Sequence, residues 1–244
     1  MHEIMTIFKR EFASFFSTPV AYIFITIFLV MSGVFTFLIG DFYARGQADL
    51  LSFFNFHPWL YLFLVPAISM RIWSEERKSG TIELLMTLPI TTFHIMLGKF
   101  LAAWLVLGIC LVLTFPLWLT VNYLGNPDNG IIVAAYLGSW LMAGAFLAVG
   151  ICMSAFTKNQ VIAFMLAIVL CFLFVLAGSP VIIDVVQGWA PNIVIDTVAS
   201  LSFMTHFQDM SKGVIALNDV LFYVISILVW LYAGYLVIEQ KKAN

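Results

Sequence analysis

The sequence predicts an all-α polytopic membrane protein. Hydrophobic residues make up 63% of the 244-residue chain and charged residues only 10%, whereas soluble globular domains are about 45–50% apolar. Apolar segments near the roughly 20 residues needed to cross a hydrocarbon core recur along the chain. In the topology that these segments imply, nine of the eleven basic residues fall on one side of the membrane. These observations predict six transmembrane helices with both chain termini in the cytoplasm.

The first 18 residues predict a helix that lies at the membrane interface. Ile4, Phe8, Phe12 and Phe15 recur at helical spacing, and polar residues occupy the rest of the wheel. This pattern is typical of a helix whose aromatic side dips into the acyl boundary, although an ordinary cytoplasmic lead-in helix is the alternative. Pro19 favours a break before the first span.

The predicted spans lie at 20–40, 57–74, 94–121, 131–156, 160–178 and 219–238. The basic residues that this arrangement leaves in the cytoplasm are Lys9, Arg10, Arg71, Arg77, Lys78, Lys99, Lys158, Lys241 and Lys242. Only Arg45 and Lys212 lie outside. Because positively charged loops stay in the cytoplasm, this bias sets the orientation. We therefore expect residues 1–244 to form a single membrane domain, with the first five spans within 20–178.

The outer connections differ in length. Residues 41–56 have room for a short surface helix, and the N-P-D-N-G sequence within 122–130 indicates a turn-rich loop. The connection at 179–218 is the longest. Because about forty residues without secondary structure would be unusual, we expect short helices there, at the surface or re-entering the membrane.

The segment between the second and third spans carries six charged residues within thirteen positions: Arg71, Glu75, Glu76, Arg77, Lys78 and Glu83. We expect the second span to continue as a helix into the cytoplasm and to end near Gly80. Thr81 then caps a second helix, Glu83 suits its positive end, and Pro89 stops it. Its apolar face comprises Ile82, Leu84, Leu85, Met86 and Leu88. This short helix predicts a docking surface for another protein; a helix that only anchors the loop to lipid is the alternative.

Motifs for catalysis and nucleotide binding are absent from the sequence. It contains no G-x-x-x-x-G-K-[ST] loop, no G-x-S-x-G and no H-E-x-x-H. Cys110, Cys152 and Cys171 lie in apolar runs and are interpreted as buried thiols, and the four scattered histidines do not predict a metal site. The basic residues form no stripe, so no nucleic-acid partner is predicted. We expect no ionisable residue deep within the spans, which argues against an ion-coupled carrier.

Small residues recur at four-residue spacing in several spans, a pattern that lets helix backbones approach closely in lipid. They are Ser32, Thr36 and Gly40; Ala134 and Gly138; Gly144 and Ala148; and Ala163, Ala167 and Cys171. Packing within the same chain is favoured over packing against a second chain, although each could use a different face.

The sequence E-E-R-K-S-G-T-I-E-L-L-M-T-L-P-I, followed by G-K, resembles the signature of membrane permeases of the ABC-2 class of ATP-binding-cassette transporters. Those proteins have an acidic pair, then G-T-x-E-x-L, a proline, and G-K at the start of the third span. The matching residues are Glu75, Glu76, Gly80, Thr81, Glu83, Leu85, Pro89, Gly98 and Lys99. The segment 201–215 is similar to the branch that contains gliding-motility-associated permeases.

The resemblance implies a dimeric exporter core in the bacterial inner membrane, driven by a separate ATPase subunit. ATP and magnesium would bind that subunit, so this chain would need no cofactor and would not be an enzyme itself. Residues 80–88, closed by Pro89, would be the coupling helix that contacts the ATPase, with Glu75, Glu76, Arg77 and Lys78 at the same interface. The helix at 1–18 would be the connecting helix, which also contacts the ATPase through Phe8, Lys9, Arg10, Glu11 and Phe12.

The resemblance further places Ser32, Thr36 and Gly40 at a seam with a second permease chain, either an identical copy or a related one. An auxiliary membrane protein with an outer domain is another expected partner. The implied function is export or extraction of a substrate, for which the aromatic-rich, apolar spans favour an amphiphile. The alternative is a membrane component that transmits ATP-driven motion to outer partners without transport.

Overall fold

The computed structural model describes residues 2–82, 90–187 and 191–242, and the regular elements in these ranges are all helical. The first five helices are α1 (His2–Ser17), α2 (Val20–Val34), α3 (Leu51–Asn55), α4 (His57–Ser69) and α5 (Arg71–Ser79). The next four are α6 (Thr92–Val112), α7 (Phe115–Leu124), α8 (Asn129–Phe156) and α9 (Gln160–Leu176). The last four are α10 (Pro180–Gln187), α11 (Asn192–Ser200), α12 (Phe203–Ser211) and α13 (Leu217–Lys242). A π-helical turn, Phe35–Ile39, extends α2.

Four helical segments in the described part of the chain are long and apolar enough to cross a membrane: Val20–Ile39, Thr92–Leu124, Asn129–Phe156 and Leu217–Lys241. Helix α9 is equally apolar but has only 17 residues. The predicted second span is not one continuous helix, because it divides at Met70 into α4 and α5. A helical, multi-pass membrane protein is therefore confirmed, and four of the predicted spans meet the criteria of length and composition.

The predicted third span, 94–121, is also two helices. Helix α6 ends at Val112, and α7 starts afresh with Pro116 in its first turn, where the missing proline N–H costs no hydrogen bond. Thr114, between the two helices, donates from Oγ1 to the carbonyl of Leu111 at 2.6 Å and accepts from the Tyr136 hydroxyl at 2.8 Å. The break thus satisfies its polar groups internally, as a non-helical backbone within a membrane must.

Helix α8 forms the centre of the fold, and nearly all of its residues from Leu141 to Ala155 are buried. Glycines spaced six residues apart let three other helices approach it closely: Gly138 faces Met210 of α12, Gly144 faces Trp104 of α6, and Gly150 faces Ser69 of α4. A Cβ atom at Gly150 would lie 1.9 Å from Ser69 Oγ, so only glycine fits there. The small residues of this span therefore pack within the chain, as favoured above.

The connections that the sequence predicts to lie outside contain short helices, as predicted. Helix α3 falls within the first outer connection, and α10, α11 and α12 fall within the longest. Helix α12 buries Phe203, Phe207 and Met210. His206 Nδ1 lies 2.6 Å from Asp219 Oδ1 at the start of α13, so this outer segment is held to the last helix by a hydrogen-bonded pair.

Candidate functional site

Helix α5 occupies the centre of the predicted inner docking region. It ends at Ser79, and Gly80 adopts a left-handed conformation with φ of 75°, which confirms the predicted helix end. Ile72, Trp73 and Ser74 are buried on one side of α5. Of the four predicted interface residues, Glu75 and Lys78 are exposed, whereas Glu76 and Arg77 are half-buried.

The apolar face of the predicted coupling helix lies mostly outside the described residues. Glu83, Leu84, Leu85, Leu88 and Pro89 belong to the undescribed range 83–89. Thr81 and Ile82 are described: Thr81 Oγ1 donates to the carbonyl of Glu76 at 3.4 Å, and Ile82 packs against the core. Since the amides that Thr81 would cap lie in the undescribed range, its capping role stays a prediction.

A buried lysine of α6 joins this helix to α5 and α1. Lys99 of α6 is 3% exposed, and its Nζ lies 2.6 Å from Glu76 Oε1 of α5 and 3.3 Å from Glu11 Oε1 of α1. Arg10 extends the chain of charges, with its Nη2 at 2.6 Å from the same Glu11 oxygen. Two cations and two carboxylates therefore balance one another, which offsets the cost of removing them from water. We call Glu11, Glu76 and Lys99 the charged junction.

Further contacts surround the charged junction. The Lys99 ammonium lies 5.4 Å from the centroid of the buried Trp73 ring, a cation–π contact. Burial alone would raise the pKa of Glu11, but the charges of Lys99 and Arg10 outweigh burial and hold that pKa below its ordinary value of 4.5. Glu76 Oε2 is buried with no hydrogen-bond partner among the described residues, so Lys99 is the main compensation for this carboxylate.

Helix α1, the predicted connecting helix, is docked along α6. A Cβ atom on Gly98 would lie 2.8 Å from Ile7 Cγ2, so glycine is what allows α1 to cross α6 at this distance. The predicted connecting-helix residues divide by exposure: Phe8, Glu11 and Phe12 are half-buried, whereas Lys9 and Arg10 are exposed. The aromatic side of α1 thus packs partly against its own chain.

Helix α5 is also bound to the C-terminal end of α8. Ser154 Oγ of α8 accepts from the backbone amides of Trp73 at 3.0 Å and Ser74 at 3.1 Å. Arg77 Nη1 donates to the carbonyl of Ala155 at 2.6 Å. Lys241 of α13 donates to the next carbonyl, that of Phe156. Two cations therefore satisfy the last carbonyls of α8, where the helix dipole is negative.

The residues predicted for a dimer seam lie against their own chain. Ser32 and Thr36 are 2% and 1% exposed, and Thr36 Oγ1 donates to the carbonyl of Ser32 at 2.6 Å. A Cβ atom at Gly40 would lie 2.9 Å from Ser52 Cβ. These residues therefore pack against their own chain. Their role in contacting a second chain stays a prediction.

Lys99 has a structural role, as the centre of the charged junction, that the sequence predictions do not include. Lys99 belongs to the predicted motif and is predicted to lie on the cytoplasmic side, but the sequence does not predict that its side chain is buried. Lys99 is buried near the start of α6, and the fully buried His57 lies 2.7 Å through Nδ1 from Ser139 Oγ. One sequence signal does indicate the charged junction: a lysine seven residues after the start of an apolar helix needs partners for its charge. Within the described ranges, no group of three or more His, Cys, Asp or Glu side chains could hold a metal ion.

A bundle of apolar helices with a charged junction at one end defines the class of protein as a multi-pass helical membrane protein. The sequence profile of ABC-2 family transporter proteins matches residues 5–243, so the chain belongs to this family. Members are membrane components of ABC transporters, and the family implies a nucleotide-binding ATPase partner and a dimeric arrangement. A search of curated proteins found no match.

Proposed function

We propose that this chain is the permease subunit of an ABC exporter, and that it couples ATP hydrolysis in a separate subunit to movement of an amphiphilic substrate across the inner membrane. Family membership supports the permease class. The contacts of α5 support the coupling role, because this helix leads directly to the segment 80–88 that would seat in the ATPase.

The charged junction is the observation that carries the proposal. A displacement of residues 80–88 would move α5 first, since α5 directly precedes them. Through Glu76 and Lys99 the movement reaches α6 and α1, and through Ser154 and Ala155 it reaches α8. Hydrogen bonds between charged groups are shorter and stronger than neutral ones. The junction and the bonds from α5 to α8 are thus together suited to move α5, α6 and α8 with α1.

The proposed topology has six spans. Helices α4 with α5 and α9 supply the two spans that fall short of the length criterion, and they pack against α8 in the same bundle. Both termini and α5 then lie in the cytoplasm, while α3 and α10 to α12 lie outside. The positive residues of α5 and of the α13 end support this orientation.

The coupling role is tested in vesicles that contain the permease together with its ATPase subunit. We expect Glu83→Lys and Leu85→Asp to abolish permease-stimulated ATP turnover by weakening the docking surface. Neutralising the junction in the triple variant Glu11→Gln/Glu76→Gln/Lys99→Met should leave the complex assembled but lower stimulated turnover about tenfold or more, equivalent to about 1.4 kcal/mol. Lys212→Met, on the outer side, is the matched control.

Two outcomes would contradict the proposal. Full stimulation in all three inner variants would show that neither the docking surface nor the junction transmits anything. Normal stimulation of the ATPase without vectorial movement of any amphiphile would instead indicate a component that transmits force to outer partners. A transport assay with fluorescent lipids and detergents separates this second outcome from export.

A further inference from the structure

An apolar groove opens where the third span breaks. It has a volume of about 620 Å³ and lies between the end of α6, the start of α7 and the first half of α8. The side chains that shape it include Leu105, Val112, Phe115, Trp118, Val133 and Trp140. Helix α6 ends at Val112 and α7 begins at Phe115, and both of these residues line the groove. The groove therefore adjoins the break between the two helices.

The groove walls provide no free hydrogen-bonding group from their aromatic side chains. Trp118 Nε1 donates to Asn129 Oδ1 at 2.7 Å. The Tyr136 hydroxyl is bonded to Thr114 Oγ1, and Trp140 Nε1 donates to the carbonyl of Trp104 at 3.4 Å. Because these polar atoms are satisfied inside the chain, what remains for an occupant is hydrocarbon surface alone.

The groove is continuous with the surface that the bilayer covers. It is formed by Thr92–Leu124 and Asn129–Phe156, two of the segments long and apolar enough to cross a membrane. Leu105 lies six residues beyond Lys99 and Val112 thirteen, or about 9 Å and about 20 Å along a helix. In a hydrocarbon core about 30 Å thick, this places the groove largely in the half of the bilayer away from the charged junction.

We infer that the groove binds one acyl chain of a phospholipid as a resident ligand, at the joint between α6 and α7. Val112 and Val133 line the opening and are 71% and 49% exposed. A hydrocarbon chain satisfies these surfaces without presenting a polar group, which a peptide backbone cannot do. Seated there, the lipid fills the space beside the break and supports the angle between the two helices. This inference rests on the membrane location of the chain and does not require the proposed coupling mechanism.

The test uses the whole permease, reconstituted in phosphatidylcholine vesicles, extracted in mild detergent and examined by native mass spectrometry. The wild type should retain one phosphatidylcholine per chain. Val133→Phe, which fills the groove, should lower occupancy about tenfold. Val169→Phe is the matched control, because Val169 is 54% exposed on α9 and lies outside the groove. This control should retain lipid as the wild type does.

Fluorescence gives a second readout of the same site. With phosphatidylcholine whose chains carry bromine, we expect quenching of the groove tryptophans in the wild type and in Val169→Phe, and weaker quenching in Val133→Phe. Circular dichroism and a single gel-filtration peak establish that each variant is folded. Equal lipid occupancy in both variants, or no retained lipid in the wild type, would overturn the inference. Loss of dimer rather than lipid in Val133→Phe would assign the groove to a second copy, and release of lipid on ATP turnover would make it cargo; either result also overturns it.

Discussion

At the scale of single residues, Lys99 is a buried charge whose stability depends on the carboxylates around it. Its ammonium is 3% exposed and depends on Glu76 and Glu11 for compensation. Removing one partner from a buried ionic cluster costs far more than replacing the whole cluster with neutral groups of similar size. A comparison of the single variant with the triple variant therefore separates the contribution of the charges to stability from their contribution to coupling.

Lys99→Met should therefore destabilise the protein by about 2–4 kcal/mol, because the half-buried Glu76 is left without its cation and Glu11 keeps only Arg10. The measurement is unfolding in detergent, followed by circular dichroism. The triple variant Glu11→Gln/Glu76→Gln/Lys99→Met should recover most of the loss. If Lys99→Met were as stable as the triple variant, the junction would not be a buried ionic cluster.

Glu11 predicts an acid-sensitive contact. Its pKa is lower in the folded protein than the ordinary 4.5, so the folded state binds the proton more weakly than the unfolded state does. The resulting stabilisation is complete above that ordinary value and is lost as pH falls through the lowered pKa. The difference in melting temperature between the wild type and Glu11→Gln should shrink between about pH 6 and about pH 3.5. A constant difference would exclude this contribution.

Substitutions at Gly80 test how much the left-handed backbone at the end of α5 contributes to stability, without a steric clash. Among the described residues, no atom beyond its chain neighbours lies within 4 Å of a Cβ built there, yet the backbone is left-handed with φ of 75°. Gly80→Ala should cost about 1–2 kcal/mol from conformation alone, and Gly80→Asn less, because asparagine tolerates this conformation. Chemical unfolding measures both. Equal losses of stability in the two variants would show that the left-handed backbone is not the cause.

At the scale of elements, close helix crossings depend on glycines whose position no local pattern reveals. Gly98 brings α1 onto α6, and Gly150 brings α4 onto α8. Helix α1 lies against α6 over much of its length, so its position depends on α6 as well as on the lipid surface. Any movement of α6 is therefore passed to α1 by packing as well as by charge.

Gly98→Val should lift α1 from α6, because the added side chain overlaps Ile7. Amide exchange in 2–17 should then accelerate about tenfold or more while exchange in α8 stays unchanged. Gly33→Val is the matched control, since in the described part of the chain no atom outside its own helix lies within 4 Å of a Cβ at Gly33. Equal protection of α1 in both variants would show that Gly98 does not set the crossing.

At the scale of the whole molecule, orientation follows from the distribution of charge. The native cysteines Cys110, Cys152 and Cys171 are all free and buried, as predicted. A new cysteine on the surface is therefore expected to be the reactive thiol. Lys78→Cys and Lys212→Cys replace exposed lysines at opposite ends of the bundle.

In intact cells, a membrane-impermeant maleimide should label Lys212→Cys, whereas Lys78→Cys should react only after the membrane is permeabilised. The wild type, whose thiols are buried, is the control for background labelling. Labelling of Lys78→Cys in intact cells would invert the topology and place the proposed coupling segment outside.

The sequence by itself determined the features that depend on local composition. Hydropathy and the bias of basic residues predicted a helical membrane protein, and Gly80 and Pro19 marked helix ends, because these signals act within a few residues of one another. Tertiary structure decided what depends on contacts between distant segments. Glu11, Glu76 and Lys99 come from three helices, so no spacing along the chain shows that they meet. The third span likewise divides at Thr114, whose hydroxyl is hydrogen-bonded to Tyr136 of α8. Hydropathy averages over this division and therefore predicts one continuous span.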